Sequence, residues 1–232
     1  MSRSTTLLRA AVVAVGATAL LAGCFAPAVV PVEPPKPEPD FGTIGGDAPV
    51  PIETGTPIDP VNSGTSGFTA VIDDLGVLTV SVPSDWTEVN GVPFTTNAGQ
   101  EWASITVSSD IQGYLDSWSV SGLEIAATPV QNGTSSQLLG LLDSITGIYD
   151  SCATVVQEAK PYDDGFFQGF ESAYEGCGNA NTFAFAITAM NTAGTQALFV
   201  RSQVTADHDA NEVYLQVVKT FDTSVGRGGG RR

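Results

Sequence analysis

The chain has 232 residues and carries 9 Lys+Arg against 25 Asp+Glu, a formal charge of −16. That balance excludes nucleic acid and anionic lipid headgroups as electrostatic partners. One His and three Cys leave almost no room for a His-based or Cys/His metal site, and the length suits one ordinary domain plus a leader and a linker.

Residues 1–23 read as an export leader. Arg3 and Arg9 make the positive start, and Ala10 to Leu21 is an apolar run well short of the ~20 residues a spanning helix needs. The run ends in Leu21-Ala22-Gly23-Cys24, which resembles the lipobox of bacterial lipoproteins. The resemblance implies that the leader is cut before Cys24. The Cys24 thiol then takes a diacylglycerol, and acyl chains such as palmitate hold the body on the extracytoplasmic face of the cell membrane. Each buried CH₂ contributes ~0.8 kcal/mol, so two or three chains anchor firmly. An ordinary secretory leader with a chance cysteine is the alternative.

Residues 24–66 form the anchor and a tether. Most of the 14 prolines lie between Pro27 and Pro60, and the run Pro31 to Pro39 favours extended polyproline II. No apolar periodicity survives there, which predicts a disordered spacer. Gly226 to Arg232 reads as a flexible tail.

The domain is expected over 67–225. Phe68 to Ile72 and Leu78 to Val82 alternate like strands, with Asp73-Asp74-Leu75-Gly76 as the turn between them and Pro83-Ser-Asp-Trp86 ending the second. Trp102 to Val107 is a third alternating strand. Asp110 can cap a short helix through Trp118, with Ile111, Tyr114, Leu115 and Trp118 on one face. Leu123 to Ala126 predicts a short strand, and Thr134 or Ser135 can cap a helix carrying Leu138, Leu139, Leu141, Leu142 and Ile145. Four strand-like runs follow, Ala153 to Ala159, Phe166 to Glu175, Thr182 to Met190 and Gln196 to Val204. Asp207 or Asp209 then caps a helix with Val213, Tyr214, Val217, Val218 and Phe221 on one face. This order predicts an α+β fold, an antiparallel sheet flanked by helices.

With Cys24 lipidated, Cys152 and Cys177 are left as an even pair in an exported protein, which predicts a disulfide. Their midpoint falls between Asp164 and Gly165, a preferred hairpin turn. Folding the chain there places the two cysteines opposite each other on adjacent antiparallel strands. A strict register would also set Pro161 at a hydrogen-bonded position and Glu158 opposite Glu171, which points to a longer turn or a bulge.

Two motifs carry a resemblance. One is Asp73-Asp74-x-Gly76 followed by Leu78-Thr-Val-Ser-Val-Pro83-x-Asp-Trp86. The other is Cys152 followed by Tyr162-Asp163-Asp164-x-Phe166-x-x-Gly169 and Tyr174-x-x-Cys177-Gly178. Together they resemble a domain of actinobacterial exported lipoproteins that is also appended C-terminally to some actinobacterial serine proteases. The strand-Pro-x-x-Trp start is similar to the photosystem II extrinsic proteins, which implies a sheet between helices. The resemblance implies no catalytic residue.

His208 lies in Asp207-His-Asp-Ala-Asn-Glu212. A metal site from Asp207, His208, Asp209 and Glu212 competes with a solvated helix start whose acids suit the helix dipole, and the helix start is preferred. No Gly-x-Ser-x-Gly elbow and no phosphate-binding glycine loop occurs. Asp73-Asp74 and Asp163-Asp164 read as turn residues, and Trp86, Trp102 and Trp118 as core. The expectation is a non-catalytic surface lipoprotein with no cofactor, no metal and no catalytic residue. Its partners are membrane lipid through Cys24 and an envelope protein or small ligand, not nucleic acid. An exported hydrolase lacking the usual motifs is the alternative.

Overall fold

The computed structural model describes residues 67–178 and 181–224. The leader, Cys24, the 24–66 tether and the 226–232 tail lie outside them. In chain order the strands and helices are β1 (Phe68–Ile72), β2 (Leu78–Pro83), β3 (Glu88–Asn90), β4 (Phe94–Thr95), β5 (Glu101–Ser108), α1 (Ile111–Asp116), β6 (Gly122–Pro129) and α2 (Ser135–Thr146). A 3₁₀ turn (Gly147–Ser151) then leads into β7 (Thr154–Asp163), β8 (Phe167–Cys177), β9 (Thr182–Asn191), β10 (Gln196–Val204), α3 (Ala210–Thr220) and β11 (Asp222–Thr223).

The fold is α+β, as the order of elements predicts. One antiparallel sheet runs β3-β5-β6-β10-β9-β8-β7, with β4 also pairing β5, and a second small sheet runs β1-β2-β11. Side-chain alternation gives the large sheet two apolar faces. On β10, Leu198 and Val200 join one core and Ala197 and Phe199 the other. The first core is closed by β2 (Leu78, Val80, Val82), Trp86, the α3 residues Val213 and Val217, and Phe221 just after α3. The second is closed by α2 (Leu138, Leu141, Leu142, Ile145) and by Ile148 and Tyr149 of the 3₁₀ turn.

Local signals explain most boundaries. The Thr134 hydroxyl accepts from Gln137 N–H while the Gln137 side chain accepts from Thr134 N–H, a reciprocal cap that starts α2. Asp209 accepts from the N–H groups of Asn211 and Glu212 and starts α3. Asp73 is buried and closes the β1–β2 turn by accepting from Val77 and Leu78 N–H, each at 2.7 Å. Burial raises its carboxyl above the ordinary value, and these backbone donors oppose that shift.

Two sequence expectations are corrected. The helix capped by Asp110 stops at Asp116, and Ser117 is extended. Trp118 therefore leaves the helix and packs against Tyr149 at 5.6 Å in the second core. The strand expected at Leu123 to Ala126 is the eight-residue β6, buried at every position. A strand covered on both faces has no polar alternation to announce its length. The short strands β3, β4 and β11 are too brief to show a period.

The predicted bridge forms, with Cys152, two residues before β7, disulfide-bonded to Cys177 at the end of β8. At the cysteine end Thr154 faces Glu175 and Val155 faces Tyr174, the register that sets Cys152 opposite Cys177. The strict two-residue turn is not kept. Two register shifts in β7 intervene, and Asp163 faces Gln168, with a loop of residues 164–166 leading into β8 at Phe167. Asp164 closes that loop by accepting from Phe166 and Phe167 N–H at 2.9 Å, and Gly165 takes the left-handed φ of +85°. The shifts move Lys160 opposite Glu171, so two like charges do not meet across the pair.

Gly169 marks a close approach between β8 and β9. A Cβ there would stand 1.9 Å from the Thr188 carbonyl oxygen and 2.7 Å from Ala189 Cα. Both obstacles are backbone, so the strands must part. Gly169→Ala is expected to lower stability by about 1–3 kcal/mol, measured by urea denaturation. An unchanged midpoint would refute the close approach.

Candidate functional site

The hairpin shifts also build a cleft. Gln157 and Lys160 are three residues apart, an odd spacing that would put them on opposite faces of a regular strand. The shift between them, with Ala159 at φ +44°, returns both to one face. Ala159 N–H is satisfied by Ser172 Oγ at 2.9 Å. On β8, Glu171, Ala173 and Glu175 follow at even spacing, and on β9, Phe183 and Phe185. Over this face the first turns of α3 supply Ala210, Asn211 and Tyr214. The space between is about 380 Å³.

Glu171 is the polar centre of the cleft and is 7% exposed. Its Oε1 accepts from Gln157 Nε2 at 2.9 Å and from Lys160 Nζ at 3.2 Å, and its Oε2 accepts from the Tyr214 hydroxyl at 2.5 Å. Burial, then the bond to Glu171, raises the Tyr214 hydroxyl well above the usual tyrosine range. Tyr214 is therefore a neutral donor at physiological pH. Its ring stands edge-on to Phe185 at 5.2 Å, a favoured aromatic geometry. The Lys160 side chain is 59% exposed, so its ammonium sits at the mouth. The cleft thus pairs a fixed carboxylate with aromatic walls.

A second concavity, of about 440 Å³, lies between the hairpin loop and the start of α2. Its polar groups are occupied in closing turns. Asp163 accepts from Gly165 N–H and Gln168 Nε2, and Asn191 Oδ1 from Thr195 and Gln196 N–H. It offers a ligand less directed chemistry than the cleft does.

The residues singled out in the sequence fall elsewhere. Cys177 is fully buried and belongs, with Cys152 packed against it, to the second core, on the face opposite the cleft. His208 is not a solvated helix start. Its ring packs edge-on to Trp86 at 5.6 Å, and its Nε2 lies 3.1 Å from both carboxylate oxygens of Asp85. Asp209 is engaged as the α3 cap. No group of three or more His, Cys, Asp or Glu side chains that could hold a metal ion occurs among the described residues. Asp73 and Asp164 are turn residues as expected, Asp163 instead ends β7 and pairs with Gln168, and all three tryptophans are buried. The Nε1 atoms of Trp86 and Trp102 have no hydrogen-bond partner among the described residues. Glu171 and Tyr214 were not legible as a pair, because they lie 43 positions apart in sequence. The signal available was Lys160, a rare cation in an acidic chain.

No family model matches the chain, and no curated protein matches it. Among solved structures it is similar to the solution structure of cyanobacterial PsbP (CyanoP) from Synechocystis sp. PCC 6803. The identity is 10%, covering 70% of this chain and 95% of that one, with a TM-score of 0.42. It is also similar to a crystal structure from Bacteroides thetaiotaomicron VPI-5482, at 14% identity over 66% of this chain and 47% of that one, with a TM-score of 0.31. Both likenesses are too loose to carry function. No helix among the described residues is long and apolar enough to cross a membrane.

Proposed function

We propose that this chain is an exported, lipid-anchored binding protein without catalytic activity, whose α+β domain takes a small ligand in the cleft between α3 and β7–β9. The observation that carries this is the convergence of Glu171, Tyr214, Lys160 and Gln157 on a cavity walled by Phe183 and Phe185. A concave, partly aromatic site with a few directed polar groups is the usual form of a small-molecule site. Both oxygens of Glu171 already accept hydrogen bonds, which suits an anchoring carboxylate better than a general base. The Leu21-Ala22-Gly23-Cys24 motif and the likeness to actinobacterial lipoproteins support the anchor.

A panel of small aromatic and aliphatic molecules, tested by ligand-observed NMR against the full-length chain, examines the binding reading. Hits are expected, and Ala210→Trp, which fills the cleft, should abolish them. No hits, or hits that survive in Ala210→Trp, would overturn it. The anchor has its own test. Cys24→Ala should move the protein from the membrane fraction to the soluble fraction, and an unchanged distribution and cleavage site would refute lipidation.

A further inference from the structure

The cleft contains its own model of a ligand. The Lys160 ammonium, carried on an exposed side chain, lies on the buried Glu171 carboxylate. An exposed lysine is held weakly, because its ammonium is well solvated and its chain has many other rotamers. Glu171 is held firmly by Gln157 and Tyr214. The two partners thus differ in kind, a fixed anion and a mobile cation.

The rest of the lining indicates what would replace the lysine. Glu175, exposed and four positions further along β8, adds a second carboxyl group to the lining, and Phe183, Phe185 and Tyr214 supply aromatic surface. Aromatic faces attract cations, and apolar walls favour an organic body over a bare ion. The surrounding field has the same sense. From 67 to 225 the only cations are Lys160, Arg201 and Lys219, and Arg201 is buried against Glu124. A negative surface concentrates cations at the cleft and repels anions.

We propose that the cleft selects a small organic ammonium ion with an aromatic or aliphatic body, which displaces the Lys160 ammonium from Glu171. This rests on the small-ligand reading of the cleft given above. Lys160 acts as an internal competitor that occupies the site when it is empty. It follows that removing the lysine charge strengthens binding, the opposite of what a ligand-contacting residue would show.

The test is calorimetry on the full-length chain with three probes of one shape, phenethylammonium, phenethyl alcohol and phenylacetate. Phenethylammonium is expected to bind at least about tenfold more tightly than the alcohol, and phenylacetate not at all. Glu171→Gln should remove the preference for the cation. Lys160→Met, which keeps the stem and drops the charge, should tighten phenethylammonium several-fold and leave the alcohol unchanged. Lys160 is exposed, so this variant stays informative if Glu171→Gln fails to fold. Equal binding of alcohol and ammonium, or weaker ammonium binding in Lys160→Met, would overturn the cation assignment and leave the small-ligand reading standing. No binding by any of the three would overturn both.

Discussion

Glu124→Ala is expected to cost the domain about 3–5 kcal/mol, the largest effect of any single side-chain removal considered. Glu124 on β6 stands directly opposite Arg201 on β10, in the middle of the large sheet and on its α2 side. Its Oε2 accepts from Arg201 Nε at 2.6 Å and from Nη2 at 2.5 Å. The residues are 8% and 7% exposed. Burial, the largest single influence, favours loss of the guanidinium proton, but the Glu124 charge, its hydrogen bond and the neighbouring Tyr114 and Tyr149 together outweigh it and hold the group charged. Among the described residues no other carboxylate lies within ion-pair distance of Arg201. The neighbouring hydroxyls of Tyr114 and Tyr149 are pushed above the usual tyrosine range by burial and stay neutral. Removing Glu124 therefore strands a desolvated cation. The double variant Glu124→Leu with Arg201→Leu removes both charges and should be less destabilised than Glu124→Ala alone. Urea denaturation of both variants decides it. A loss below about 1 kcal/mol for the single variant, or a double variant that fares worse, would refute the buried-pair account.

Cys152→Ala is expected to cost roughly 3–4 kcal/mol, the chain-entropy value for a loop of this size. The bridge closes a separation of 25 residues. Among the described strands β7 lies at the edge and pairs only with β8, through a ladder interrupted twice by register shifts. The bridge fixes that ladder at its weakest end. Loss of the bridge should therefore raise hydrogen exchange first in β7 and leave β6, β9 and β10 protected. The fold should survive, because both cores are built largely from other strands and from α2 and α3. Uniform loss of protection, or an unchanged melting temperature, would contradict this placement of the bridge. The expected loosening of β7 also reaches the cleft, since Gln157 and Lys160 lie on that strand.

The legible parts of the fold were those with a period or a cap. β1, β2 and the β7–β10 meander alternate or run apolar, and Thr134 and Asp209 carry side chains that start helices. The bridge was legible from the midpoint between Cys152 and Cys177, and the strain in a strict register already indicated a shift. Three things were hidden. β6 is covered on both faces, so its full length left no alternation. Trp118 continued a helical spacing that Ser117 breaks by turning extended. The cleft needed tertiary placement, because Glu171 meets Tyr214 only when α3 crosses β8, and Lys160 shares a face with Gln157 only through a bulge.

The most direct measurement of the ligand site is a titration of the ¹⁵N-labelled full-length chain with phenethylammonium, followed by amide chemical shifts. Changes are expected at Lys160, Glu171, Ala210, Asn211 and Tyr214, with Leu138 and Tyr149 on the opposite face of the sheet unmoved. Changes centred on Gly133, Ser135 and Met190, at the second concavity, would contradict the account.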